Sequence, residues 1–219
     1  MKSGAVLMAS GAGRRFGGNK LLCPVDGVPM VERAMEAVPA ELFERACVVS
    51  CYPEILALAE ARGYVPVPNP DAAQGQSASV RLGLGELLEL DGVLFCVCDQ
   101  PWLRRDSVER LLADFAAHPD RVCALGWRGE RGSPAVFPRE LFPELLALSG
   151  DRGGGGVIRA HRERLRLTEA GGAEELRDVD EARGLPELSA NGPEYCSAVS
   201  IEQNTSSAFA PGSPDVDKA

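Results

Sequence analysis

A single α/β domain, three layers deep with a mostly parallel central sheet, is what three observations predict for this chain. Short apolar runs alternate with amphipathic stretches over residues 5–117, the pattern of successive βαβ units. The run Gly92–Val97 is apolar almost throughout, as a strand buried on both faces must be. A length of 219 residues, 45% hydrophobic and 25% charged, is enough for one good core, whereas two independent domains would be cramped.

The elements follow in order. A strand is expected at residues 5–9, a helix over 29–37, a strand at 46–50 and a helix over 54–62. Residues 64–68 read as a strand, 77–89 as a helix and 92–97 as the central strand. Residues 106–117 form a helix carrying Leu111 and Leu112, with Asp106 as its expected N-cap and His118-Pro119 as its stop. Residues 123–125 and 133–137 are strand-like and flank the polar stretch 127–132, which suits a hairpin or an open loop. A leucine-rich helix over 138–148 and a shorter one over 157–162 complete the set. Asp178 and Asp180 alternate in an expected strand end, so both can point to one face. From Leu185 onward small and polar residues dominate, which sets the expected domain at 1–189 and a mobile tail at 190–219.

A net charge of −9 disfavours nucleic acid or an acidic membrane surface as partner, because a polyanion is repelled over most of the molecule. An anionic small ligand must therefore be met by a local basic site. No apolar run approaches the roughly eighteen residues of a membrane span, and the N-terminal strand is too short for a signal-peptide core, so a cytoplasmic protein without membrane contact is expected. Seven cysteines and two histidines offer no C-x-x-C pair. Cys47, Cys51, Cys96, Cys98 and Cys123 lie in or beside apolar runs and read as packed thiols rather than zinc ligands.

The stretch Met8 to Leu22, M-A-S-G-A-G-R-R-F-G-G-N-K-L-L, follows the first strand directly. Gly11, Gly13, Gly17 and Gly18 allow backbone N–H groups to approach an anion, and Arg14, Arg15 and Lys20 add charge suited to a triphosphate. A P-loop would need a hydroxyl where Leu21 stands, and a dinucleotide-binding loop would need glycine where Phe16 stands. Asp99, just past the central strand, should face the same crevice, and a hard oxygen donor there suits Mg²⁺.

This loop resembles the opening motif of the nucleotidyltransferases that load molybdopterin, L-x-A-G-x-S-x-R-M-G-x-x-K. Gly11, Arg15, Gly17 and Lys20 fall on its positions, while Phe16 replaces Met and Gly13 replaces Ser. The segment from Asn69 to Leu84 is similar to the family's nucleotide-contacting segment, with Gly75 and Ser79 on its characteristic positions. Cys98-Asp99-Gln100-Pro101 resembles its D-Q-P metal motif, and Gly132-Ser133-Pro134, Gly150-Asp151-Arg152-Gly153 and Asp178-Val179-Asp180 follow in the family's order, across roughly residues 4–188.

The resemblance implies a Rossmann-like nucleotidyltransferase fold and Mg²⁺-dependent transfer of CMP from CTP, or GMP from GTP, to molybdopterin, with a molybdenum hydroxylase as client. It implies catalytic roles for Arg15, Lys20 and Asp99, and nucleotide contacts from Ala9, Ser10, Gly11, Ala12, Gly13, Arg14, Arg15, Lys20, Asn69, Gly75 and Ser79. Asp99 would hold the metal with Asp178 or Asp180, and Ser133, Asp151 and Arg152 would meet the acceptor. Cytidylyltransferases carry A-A-G and guanylyltransferases G-G where this chain has Ala9-Ser10-Gly11. A side chain at position 10, with Leu21-Leu22-Cys23-Pro24 matching the cytidine branch's L-L-x-P, favours CTP. At the acceptor side the chain departs from the family: Ser133 stands for a common His, and Gly154-Gly155-Gly156 occupies a stretch that often carries Arg, leaving Arg152, Arg159 or His161 to supply the missing donor. Transfer to another phosphorylated acceptor, or a non-catalytic cofactor carrier serving a molybdenum hydroxylase, are the competing readings; Phe16 disfavours a dinucleotide-dependent oxidoreductase.

Overall fold

Side-chain alternation along the first strand, β1 (Ser3–Met8), decides the architecture. Ala5 and Leu7 turn toward one helical layer and Val6 toward the other, all fully buried. The structure is a computed structural model and describes residues 1–11 and 19–179. In chain order there follow a small hairpin of β2 (Pro24–Val25) and β3 (Val28–Pro29), then α1 (Met30–Ala37), β4 (Arg45–Ser50), α2 (Pro53–Ala61), β5 (Val65–Pro68), α3 (Gln76–Gly85) and β6 (Gly92–Val97). The remainder comprises α4 (Arg105–Ala117), β7 (Val122–Trp127), β8 (Glu130–Pro138), α5 (Phe142–Leu146), α6 (Gly155–Ala160) and β9 (Leu165–Glu169).

Seven strands form one sheet in the order β5-β4-β1-β6-β8-β7-β9, with β8 alone antiparallel to its neighbours. Helices α1, α2 and α4 pack on one face through Val31, Ile55, Leu111 and Phe115, and α3, α5 and α6 on the other through Val80, Leu84, Leu145 and Val157. The expected three-layer, mostly parallel α/β domain is what forms. The chain runs outward from β1 to β4 and β5, then returns to place β6 on the opposite flank of β1. This reversal leaves a crevice beyond the carboxyl ends of β1 and β6, where open α/β sheets bind ligands.

Several boundaries differ from expectation for physical reasons. The helix read over residues 77–89 ends at Gly85: α3 passes so close to β1 that a Cβ at Gly83 would lie 2.4 Å from Val6 Cγ1, and this small-residue stretch gives way to turns that still bury Leu87 and Leu90. Asp106 is not the N-cap of α4. Arg104 holds that position without a side-chain cap, and Asp106, two residues on, pairs with Arg104 and Arg110. Residues 138–148 are not one helix, because β8 continues to Pro138 to pair with Gly92 and Pro143 restarts the chain as the short α5. The stretch 127–132 is a hairpin, turned at Arg128 (φ 51°) and Gly129 (φ 87°), the two positive φ values that a tight hairpin requires. β9 was not anticipated. Asp178 lies in irregular backbone rather than a strand, and Asp180 and the expected tail lie outside the described residues.

Candidate active site

Four loops from the carboxyl ends of β1, β4, β5 and β6 converge on a cleft of about 700 Å³. Its start is fixed by hydrogen bonds within the loop roots. Ala9 N donates to Val49 O (2.8 Å), Ser50 Oγ donates to Ala9 O (2.8 Å), and Tyr52 Oη donates to Gly11 O (3.2 Å). Ser10 Oγ donates to Val49 O (3.1 Å) and accepts from Asn69 Nδ2 (3.0 Å), which also reaches Ser79 Oγ (3.1 Å). Asn69 Oδ1 accepts from Asp71 N (3.1 Å), completing a buried bridge between β5 and α3. Ser10, Gly11, Gly75 and Ser79 therefore line the cleft, whereas Ala9 and Asn69 hold that wall from behind. Ala12, Gly13, Arg14 and Arg15 lie outside the described residues.

Lys20 and Asp99 meet at the β1/β6 crevice. Lys20 Nζ donates to Asp99 Oδ2 (2.7 Å) and to Val179 O (3.1 Å), while Val179 N donates to Asp99 O (2.9 Å). Among the described residues Asp99 Oδ1 is buried without a hydrogen-bond partner, which for a carboxylate oxygen is costly unless a cation takes it up. Gln100 Nε2 donates to Asp178 Oδ1 (2.8 Å) and Leu176 O (3.1 Å), and so holds Asp178, exposed and not itself lining the cleft, against the loop after β6. Arg177 stacks 4.0 Å over the Trp102 ring, and Glu175, fully buried, accepts from Gly171 N (2.7 Å) and Arg104 N (3.3 Å). These contacts tie residues 171–179 to the loop after β6.

The oxygen donors fit a hard divalent ion. Asp99 offers a vacant lone pair, and Asp178 is held within the same loop cluster. Among the described residues no group of three or more His, Cys, Asp and Glu side chains is placed to hold a metal ion. The thiols beside Asp99 are poor competitors. Burial, reinforced by the Asp99 charge, pushes Cys96 up to about 12 and Cys98 well above its ordinary range, so both stay protonated at neutral pH. Cys47 and Cys123 are likewise buried, whereas Cys51 is exposed at the cleft rim, contrary to the packed position expected for it.

A second chamber of about 990 Å³ adjoins the first; Met8, Gln76, Val97 and Asp151 line both. The expected acceptor residues Ser133, Asp151 and Arg152 all face it. Gly75 makes the junction possible: with φ of 97°, its Cα lies so near the 150–151 loop that a Cβ would stand 2.7 Å from Asp151 Cα. Ser77 N donates to Gly150 O (3.3 Å) and Gln76 N to Asp151 Oδ1 (3.3 Å) across the same contact. Sequence reasoning passed over Tyr52, Gln76 and Arg131 as wall residues, and Gln100 as the residue that holds Asp178. Tyr52 and Arg131 are brought in by the topology alone, whereas Gln76 sits inside the 69–84 segment already singled out. Gln100 could have been found, since it lies inside the Cys98-Asp99-Gln100-Pro101 stretch that carries Asp99.

Comparison with known proteins agrees with this geometry. The family described as "MobA-like NTP transferase domain" matches residues 5–165. The chain is 27% identical to the purine catabolism protein PucB of Bacillus subtilis over 187 residues, 80% of this chain and 90% of PucB. It is 32% identical to a molybdenum cofactor guanylyltransferase of Shewanella sp. strain MR-4, over 61% of this chain and 66% of that protein. Among solved structures, Rv0371c of Mycobacterium tuberculosis superposes with a TM-score of 0.70 at 22% identity, covering 83% of this chain and 93% of that one. A nucleotidyl transferase from Methanothermobacter thermautotrophicus gives 0.69 at 24% identity, covering 82% and 92%.

Proposed function

The chain belongs to the MobA-like NTP transferase family and is a nucleotidyltransferase, and on that premise we propose that it transfers CMP from CTP to molybdopterin, releasing pyrophosphate, with Mg²⁺ as its metal. The observation that carries the reading is the pairing of Lys20 with Asp99 at the switch point, one carboxylate oxygen buried and, among the described residues, unpartnered. A phosphate oxygen of the acceptor attacks the α-phosphorus, the new P–O bond forms in line, and the bond to the β-phosphate oxygen breaks to free pyrophosphate. The nucleophile is already an anion, so no protein base is needed. Asp99, with Asp178 or Asp180, would hold a divalent metal, which would neutralise the growing phosphate charge. Lys20 moves its ammonium from Asp99 onto the triphosphate, and Arg15 adds a second cation there. Ser10, its hydroxyl tied to Val49 O and Asn69, puts a side chain on the cleft wall where the guanylyl branch has glycine, which supports the CTP reading.

Lys20→Ala and Asp99→Ala should each abolish pyrophosphate release from CTP and molybdopterin in a coupled phosphate assay, with circular dichroism unchanged. Near-normal turnover in either variant defeats the assignment. GTP is the second reading, favoured by the relatives named guanylyltransferases. CTP, GTP and ATP compared side by side decide between the two.

A further inference from the structure

Two guanidinium groups reach the same glycine in the second chamber. Arg131 arrives from β8 and Arg159 from α6, and a Cβ at Gly155 would stand 3.5 Å from Arg131 Nη2 and 3.7 Å from Arg159 Nη1. Among the described residues neither arginine has a carboxylate partner; Arg131 donates only to Gly132 O, at 3.3 Å. The carboxylates of this chamber are turned elsewhere. Glu144 Oε1 meets His161 Nε2 at 2.7 Å, and Asp151 Oδ1 accepts from Gln76 N at 3.3 Å. In a protein of net charge −9, two cations brought to one place with the available carboxylates engaged form a point of uncompensated positive potential. Water softens that repulsion at the open mouth, and an anion bridging the two forks removes it.

We infer that Arg131 and Arg159 form a phosphate-binding fork that selects the acceptor by its phosphate monoester. Two planar guanidinium forks approaching from different elements match a tetrahedral oxyanion, gripping the oxygens not used in attack. Phe95, Phe137 and Val157, also in the wall, offer an apolar surface for the uncharged body of the same molecule. This inference rests on the reading of the second chamber as the acceptor side. An added Cβ at Gly155 or Gly156 would make only ordinary contacts, and those with these guanidinium groups alone.

The test is equilibrium binding, by pterin fluorescence, of a pterin methyl phosphate and the matching pterin alcohol to the full chain and to the Arg131→Ala, Arg159→Ala and double variants. All replaced side chains are exposed, so melting temperatures should stay at the wild-type value. The native protein should prefer the phosphate form by at least about tenfold, each single variant should reduce that preference several-fold, and the double variant should abolish it, with CTP affinity unchanged. A preference that survives in the double variant overturns the fork. Pyrophosphate release separates the two readings: loss of the preference alongside no turnover with any nucleotide keeps the fork and removes the transferase assignment. Normal turnover and an intact preference in the variants remove the fork alone.

Discussion

Replacing Gly75 by alanine tests the junction between the two chambers. Its φ of 97° with ψ of −171° lies in a region that side-chain-bearing residues all but avoid, which costs about 1–3 kcal/mol before any contact is considered. The added Cβ would also stand 2.7 Å from Asp151 Cα, 2.8 Å from its N and 2.9 Å from Gly150 C. None of these is the end of a flexible side chain, so either α3 or the 150–151 loop must move. That motion breaks the bonds from Ser77 N to Gly150 O and from Gln76 N to Asp151 Oδ1, worth about 1 kcal/mol each. The sum is a destabilisation of about 3–5 kcal/mol. Gly63→Ala provides the control, because Gly63 has a comparable φ of 80° and nothing within 4 Å of its missing Cβ, leaving only a conformational penalty of about 1–2 kcal/mol. In urea, at about 2 kcal/mol/M, Gly75→Ala should lower the midpoint by roughly 1.5–2.5 M and Gly63→Ala by roughly 0.5–1 M. Equal shifts would show that the crossing at Asp151 is not tight, and would refute the steric argument while sparing the conformational one.

Asn69→Ala removes the bridge to Ser10 and Ser79 and should cost about 2–3 kcal/mol in urea while raising the nucleotide KM; a KM unchanged despite the lost stability would mean that the wall holds without it. Lys20→Met takes a competing cation off Asp99, so Mn²⁺ titrated without nucleotide and followed by electron paramagnetic resonance should bind more tightly than to the wild type, and weaker binding would contradict a shared locus. Asp114 joins α4 to β9. Desolvation pushes its carboxyl up, but hydrogen bonds from Arg166 and Thr168 and the charges of Arg166 and His118 outweigh it, holding the folded value below the ordinary one. A depressed carboxylate stabilises fully above its unfolded value near 3.9 and loses that stability as pH falls through the folded value. Asp114→Asn should therefore cost about 1–2 kcal/mol at pH 7 and progressively less below pH about 4, and a constant difference in thermal melts across that range would exclude the linkage.

The fold was legible because its signal is periodic. Alternation between strands and amphipathic helices, and the unbroken apolar run of β6, survive translation into structure with small shifts at the ends. What failed was local and had local causes. Leu87 and Leu90 keep a helical spacing in turns, since burial rather than helix formation is what they satisfy. The Asp26-Gly27 turn (φ 49° and 79°) is an Asp-Gly hairpin signal overlooked beside the glycine-rich loop. The placement of Lys20, Asp99, Ser133, Asp151 and Arg152 around adjoining chambers was foreseeable from the motif order. Arg131 was not, because its significance comes from meeting Arg159 across β8 and α6, a relation without any trace in sequence spacing.

If nucleotide and acceptor occupy the two chambers as proposed, their common wall of Met8, Gln76, Val97 and Asp151 is a physical route by which each acts on the other. Any movement of Gln76 or Asp151 that nucleotide binding produces is felt by whatever occupies the neighbouring space, and a coupling free energy between two sites has one value whichever is filled first. If nucleotide tightens acceptor binding by some factor, acceptor must tighten nucleotide binding by the same factor. That equality is a thermodynamic signature of the shared partition, measurable with nonreactive analogues and without a single turnover.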